Sequence, residues 1–245
     1  MSDEAASFVV LERTTMKICG FNKTSLLDYP GRIACTIFLG GCNYRCPFCQ
    51  NSGLVLSVAE QPEYFRDEVL KFLKKRQGIL EGVCITGGEP TLSAELPDFL
   101  REIKKLGYPV KLDTNGSRPS VVKALIEEKL VDKVAMDIKT SIENYGLLTG
   151  LDAPDIEAVK ETATFLMNSG IEYEFRTTVV RELHTARDFE KIGAWLSGAK
   201  EYYLQAYRDS ENVIHPGFSP CTEEEMNTFR DILKRTIDRV EVRGI

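Results

Sequence analysis

Apolar residues recur along the chain in two alternating rhythms. Ile33 to Leu39 is an apolar run of strand length that enters Gly40-Gly41. From Pro62 the apolar positions Phe65, Val69, Phe72 and Leu73 fall at helical spacing until Gly78 stops them. A second short strand, Gly82 to Thr86, breaks at Gly87-Gly88-Glu89-Pro90, and Leu96, Leu100, Ile103 and Leu106 mark a helix ended by Gly107. The unit then repeats, with strands over 109–113, 132–138, 171–180 and 201–207 and helices around 119–130, 154–169, 186–198 and 222–236. A last β-like run covers 239–243. Six strand-then-helix units predict a parallel sheet with right-handed connections and helices packed outside. Six is short of the eight of a closed barrel, so the predicted fold is a single α/β domain, a partial open (βα)6 barrel over 17–245. Residues 1–16 form an N-terminal extension without periodicity, and Met16 reads as an alternative start.

Side chains two apart share one face of a strand. On 171–180, Ile171, Tyr173, Phe175, Thr177 and Val179 form an apolar face, while Glu172, Glu174, Arg176 and Thr178 form a polar one. Lys111, Asp113 and Asn115 line up on the third strand, Asp137 and Lys139 on the fourth, and Tyr203, Gln205 and Tyr207 on the sixth. A helix-covered parallel strand is ordinarily apolar on both faces. Buried charges are expensive unless paired or bound, so the alternation predicts a lined cavity for a polar ligand inside the sheet. For any one of these residues, a strand end in solvent is the simpler account.

Charge narrows the function classes. The chain carries 31 Lys plus Arg against 37 Asp plus Glu, a net charge of -6, which supplies no broad basic surface for nucleic acid or anionic lipid. No apolar run approaches a membrane span, and the expected location is cytoplasmic. Seven Cys, an odd number, do not make a secreted disulfide framework and fit a reducing compartment. Cys19, Cys35, Cys84 and Cys221 stand apart, whereas Cys42, Cys46 and Cys49 form C-x3-C-x2-C. Clustered thiolates suit zinc or an iron-sulfur cluster. Neither His184 nor His215 is near enough in sequence to complete a structural zinc set, although Cys35, Cys84 or Cys221 remain available to do so. Three thiolates suit a four-iron, four-sulfur cluster that keeps one iron open. The two histidines carry no motif and read as surface or loop residues, while Trp195, with Phe189 and Ile192, reads as core.

The triplet, Phe48 just before its third Cys, and the place of the loop after the first strand resemble the radical S-adenosylmethionine (SAM) superfamily. That resemblance implies one [4Fe-4S] cluster on Cys42, Cys46 and Cys49, SAM chelated at the open iron, and reductive cleavage to a 5'-deoxyadenosyl radical. Gly87-Gly88-Glu89-Pro90 resembles the motif whose backbone binds the methionyl amine, with glycine allowing close approach. A Gly-Gly turn before Pro is also an ordinary connection. Asp113-Thr114-Asn115-Gly116 and Asp137-Ile138-Lys139 resemble motifs of glycyl-radical-enzyme activases. By that likeness Lys139 neutralises the methionyl carboxylate, and Asp113 and Asp137 flank a monovalent cation or polar groups of the cofactor. Arg176 and Arg208 are similar in position to cofactor-touching residues. An ion-pair cluster with no ligand is the plainer reading of these charges.

Gly20 to Arg32, followed by Gly40-Gly41 and the cysteine loop to Asn51, is similar to the activating proteins of anaerobic ribonucleoside-triphosphate reductase. The likeness runs from about Lys17 to the C-terminus and is strongest up to Glu89. It implies an oxidoreductase that removes a hydrogen from a backbone glycine of a large partner enzyme, with a flavodoxin or ferredoxin as electron donor. The cofactor carries the hard chemistry and the protein orients it. No extra cysteines lie between Cys49 and Cys84, so one cluster is expected. Two rivals stay open: a radical SAM enzyme acting on a small molecule such as a purine-like ring, and a non-catalytic zinc- or cluster-bearing electron-transfer module.

Overall fold

The run Ala34–Leu39 is buried at every position except Phe38, as a parallel strand covered on both faces must be. In the computed structural model, which describes residues 16–245, it is the second strand of an eight-stranded sheet whose spatial order follows the chain. The strands are β1 (Ile18–Ser25), β2 (Ala34–Leu39), β3 (Gly82–Gly87), β4 (Val110–Thr114), β5 (Lys133–Asp137), β6 (Glu172–Val179), β7 (Glu201–Ala206) and β8 (Arg239–Arg243). From β2 to β8 all pairings are parallel. Among the described residues none joins β8 to β1, so the barrel is open. The six predicted strand-helix units and the closing run are all present. The proposed extension at 1–16 lies, apart from Met16, outside the described residues.

One strand was not legible. β1 reads ICGFNKTS, with no sustained alternation, and pairs antiparallel with β2 in a register broken between Ile18 and Gly20 and between Asn22 and Ser25. Its hydrogen bonds come from the free edge of β2, not from a hydrophobic pattern of its own, and bulges of this kind erase the two-residue period.

The helices are α1 (Ser52–Leu56), α2 (Arg66–Lys75), α3 (Leu96–Lys105), α4 (Pro119–Glu127), α5 (Tyr145–Thr149), α6 (Ile156–Asn168), α7 (Ala186–Trp195) and α8 (Glu223–Leu233). Each long one buries a stripe; α3, for example, buries Leu96, Phe99, Leu100 and Ile103. Reciprocal capping boxes start α7, through Thr185 and Asp188, and α8, through Thr222 and Glu225. Phe189 and Ile192 are fully buried, but Trp195 is only partly buried against the core, because it ends α7 at the surface.

The concave face of the sheet is polar, as the alternation predicts. Lys111 and Glu174 are each 1% exposed although charged, which no helix-covered face would tolerate without partners. Glu174 is met by Lys133 and Arg243, both at 3.3 Å, and the Arg243 guanidinium lies over the Tyr203 ring.

Candidate active site: a cysteine loop over a charged barrel interior

The cysteine loop leaves β2 through Gly40 and Gly41 and is fastened on three sides. Gly41 N–H donates to Leu54 O at 2.8 Å, and Arg45 N–H donates to Thr149 O at 2.7 Å. The connection after β7 crosses the loop, with Ile214 N–H on Cys49 O at 3.1 Å and His215 N–H on Pro47 O at 2.8 Å. His215 itself is exposed, as expected. Cys46 is buried and Cys42 and Cys49 are half-buried; all three are free thiols. Burial pushes the Cys42 thiol up to about 11 and Cys46 up to about 12.

All three cysteines line one cavity of about 380 Å³, together with Phe48, Gly87, Gly88, Asp113, Asn115, Asp137, Lys139 and Arg176. Its floor comes from the C-terminal ends of β3 to β7, the end at which open parallel sheets place their ligands. Gly88 has no alternative at its position, since a Cβ there would lie 2.0 Å from Gly41 O. Gly87, at φ +124, would bring one within 2.2 Å of Leu39 O.

Glu89 is placed differently from the other predicted cofactor residues. It is 2% exposed and stands behind the cavity wall. Its carboxylate accepts from Thr91 N and Oγ1, from Thr114 Oγ1 at 2.8 Å and from Asn115 N at 2.6 Å. Burial raises its pKa against those four bonds. The motif glutamate therefore ties the end of β3 to the end of β4, with both oxygens occupied. Asn115 in turn donates to Asn43 Oδ1 at 2.9 Å, linking β4 to the cysteine loop.

The charges inside form a chain of alternating sign. Lys111 bonds Asp113; Arg176 reaches Asp113 at 3.1 Å and Asp137 at 2.9 Å; Lys139 reaches Asp137 at 3.0 Å. Burial would raise the Asp137 carboxyl, but Arg176 and then Lys139 hold it at about 2. Arg176 and Lys111 likewise overcome burial to lower Asp113. Arg208 does not join them. It is exposed, beyond the end of β7, and donates to Gly244 O at 3.3 Å next to β8.

The cavity also shows residues without a motif. Asp28, from the β1–β2 connection, lines it, as do Tyr44, Gln50 and Asn51; Thr178 and Gln205 follow from strand alternation. His184 is not a surface residue: it is 3% exposed, packed between Phe48 and Phe189. It lies on the connection between β6 and α7, where no sequence signal marks its direction.

Comparison with known proteins follows the same lines. Residues 36–196 match the model of the Radical SAM superfamily. The chain is 31% identical over 238 residues to the Methanocaldococcus jannaschii protein named "Putative glycyl-radical enzyme activating enzyme MJ1227", covering 93% of this chain and 96% of that one. Among solved structures, Streptococcus suis SuiB bound to S-adenosylmethionine superposes with a TM-score of 0.64 at 15% identity, over 83% of this chain and 48% of SuiB. A domain of pyruvate-formate lyase-activating enzyme from Bacteroides vulgatus gives 0.53 at 18% identity, over 67% of this chain and 99% of the domain. The two structures share the fold. The sequence matches go further: the chain belongs to the radical SAM superfamily and, within it, to the family of the Methanocaldococcus jannaschii protein.

Proposed function

We propose that the protein is a glycyl-radical enzyme activating enzyme, holding one [4Fe-4S] cluster on Cys42, Cys46 and Cys49 and SAM beside it. The observation that carries this is one cavity lined at once by the three thiols and by the paired charges Asp137 and Lys139. The donor set fits the group. Among the described residues no three His, Cys, Asp or Glu side chains converge as a single ion requires. Three thiolates that each bind a different iron have no such requirement. When bound, the cluster and SAM supply a hydrogen-abstracting 5'-deoxyadenosyl radical.

The chain's own residues orient and shield. Gly87 and Gly88 leave main chain bare at the rim, Lys139 offers a cation to a carboxylate, and Phe48 offers a ring face. Asp113 and Asp137 are positioned for polar cofactor groups or a monovalent cation. The cavity, about 380 Å³, is at the small end of the roughly 300–1,000 Å³ that one drug-sized ligand occupies. A cavity of that size is matched to one nucleoside cofactor, which favours a substrate that reaches in from outside, a glycine loop of a large protein, over a second small molecule. Anaerobic ribonucleoside-triphosphate reductase is the partner we propose, with a flavodoxin or ferredoxin as donor.

Anaerobically reconstituted protein, incubated with SAM and dithionite, is expected to release 5'-deoxyadenosine. With a candidate glycyl-radical enzyme added, a glycyl doublet is expected by electron paramagnetic resonance. No 5'-deoxyadenosine would leave only a binding or electron-transfer module. Its release without a doublet from any candidate would favour a small-molecule substrate.

A further inference from the structure

Lys139 stands one residue past the sheet contact of β5 at Ile138, where no strand ladder fixes it. Both of its main-chain groups are instead taken by buried side chains. Its N–H donates to Tyr145 Oη at 3.3 Å, and its C=O lies 2.9 Å from His184 Nε2. The other ring nitrogen, Nδ1, is 3.1 Å from Val180 N–H, which can only donate. Nδ1 also lies 3.2 Å from Val180 O, but that carbonyl already accepts from His184 N–H at 3.0 Å, whereas among the described residues Lys139 O is faced by Nε2 alone. The neutral tautomer that serves both Lys139 O and Val180 N–H carries its proton on Nε2. Burial keeps the ring neutral. The same ring meets Phe48 edge-on, with centroids 6.3 Å apart, and stacks on Phe189 at 5.8 Å. His184 thus touches the carrier of the cavity's ammonium and the aromatic residue of the cysteine loop, while its own side chain stays out of the cavity lining.

We infer that His184 is a positioning residue for SAM: its Nε2–H sets the Lys139 main chain, and through it the ammonium, at the height the cofactor carboxylate requires. This rests on the functional reading above. A merely satisfied core histidine would affect folding and nothing else. Outer partners of metal-ligating side chains typically change affinity or activity by about 10- to 100-fold, and a partner that sets Lys139 is expected to act on the same scale.

The test is SAM affinity of anaerobically reconstituted protein, read by equilibrium binding alongside iron content and melting temperature. His184→Leu, which leaves Lys139 O without a donor, is expected to keep its iron and weaken SAM binding at least about tenfold. His184→Gln, whose amide can donate, is expected to restore most of it; His184→Asn, one carbon shorter, is not. Because His184 acts through Lys139, adding His184→Leu to Lys139→Ala is expected to cost no further affinity. Unchanged affinity in His184→Leu, or a fully additive double variant, overturns the inference. So does failure of every variant to take up iron, since that places His184 in the fold alone. A parent protein that binds iron but not SAM defeats the functional reading instead.

Discussion

Asp28 faces the cavity with one carboxylate oxygen on the Thr36 hydroxyl at 2.5 Å, and it enters no ion pair among those of the described residues. Every other carboxylate in the lining is neutralised by Lys or Arg. An acceptor in the lining with no ion-pair partner is suited to an N–H of the incoming substrate. Asp28→Asn is therefore expected to leave reductive SAM cleavage within about twofold while lowering glycyl-radical yield at least about tenfold, since a charge-assisted bond is worth roughly 1.5–3 kcal/mol. Parallel assays of 5'-deoxyadenosine and of the radical signal separate the two. The cysteines divide more sharply. Alanine at Cys42, Cys46 or Cys49 is expected to abolish the cluster, whereas Cys84→Ala and Cys221→Ala, at buried sites outside the cavity, keep it by iron and sulfide analysis. Gly88→Ala has no room, because what it meets is the main chain at Gly41, which cannot swing aside as a side chain could.

Elements differ in how closely they are tied to the site. Thr222 caps α8 on the far side of the sequence from the cysteine loop, and its hydroxyl accepts from Glu225 N at 3.2 Å. Thr222→Ala is expected to cost about 1 kcal/mol in urea denaturation, with SAM binding unchanged. Asp188 caps α7 but also accepts from Ser141 Oγ at 2.6 Å and Asn144 Nδ2 at 2.7 Å, so one carboxylate clamps the segment just after Lys139. Asp188→Ala is expected to cost more than the simple cap, by about 1–3 kcal/mol for the partners it strands, and to weaken SAM binding as well. Elements were also where reading from sequence succeeded best. The seven parallel strands announced themselves because burial on both faces, or a polar interior face, leaves a distinct pattern in five or more residues. β1 did not, since an edge strand with bulges owes its place to β2.

At the scale of the whole molecule, the interior charges act as one body. Arg176 holds Asp113 and Asp137 together with 13% of its side chain exposed, so Arg176→Met leaves each carboxylate with one lysine, Lys111 or Lys139. The expected loss is about 1.5–3 kcal/mol by denaturant titration, since charge-assisted bonds are lost while a lysine stays on each carboxylate. The pH dependence has a definite sign. Asp137, held at about 2 against an ordinary 3.8, contributes stability that is complete above 3.8 and is lost as pH falls through about 2. Lys139, raised by Asp137 despite burial, contributes below its ordinary 10.5 and loses that only above its raised value. The stability difference between the parent protein and Asp137→Asn is expected to be flat through neutral pH and to shrink on acidification below about pH 4. Most of this cluster was legible, because strand alternation put Asp113, Asp137 and Arg176 on one face. Asp28 and His184 were not, because both lie on connections, where spacing says nothing of direction. Arg208 lies past the end of the strand and on the opposite parity from Gln205, so alternation does not carry it to the inner face.

The missing ladder between β8 and β1 has a mechanical side. A closed barrel has its girth fixed by strand number and stagger, and widening it means breaking a full row of main-chain bonds. Here the two free margins can part by a small change of twist spread over seven strand pairs, with every bond kept. A wall of this kind can widen for a bulky group without any strand letting go of its neighbour.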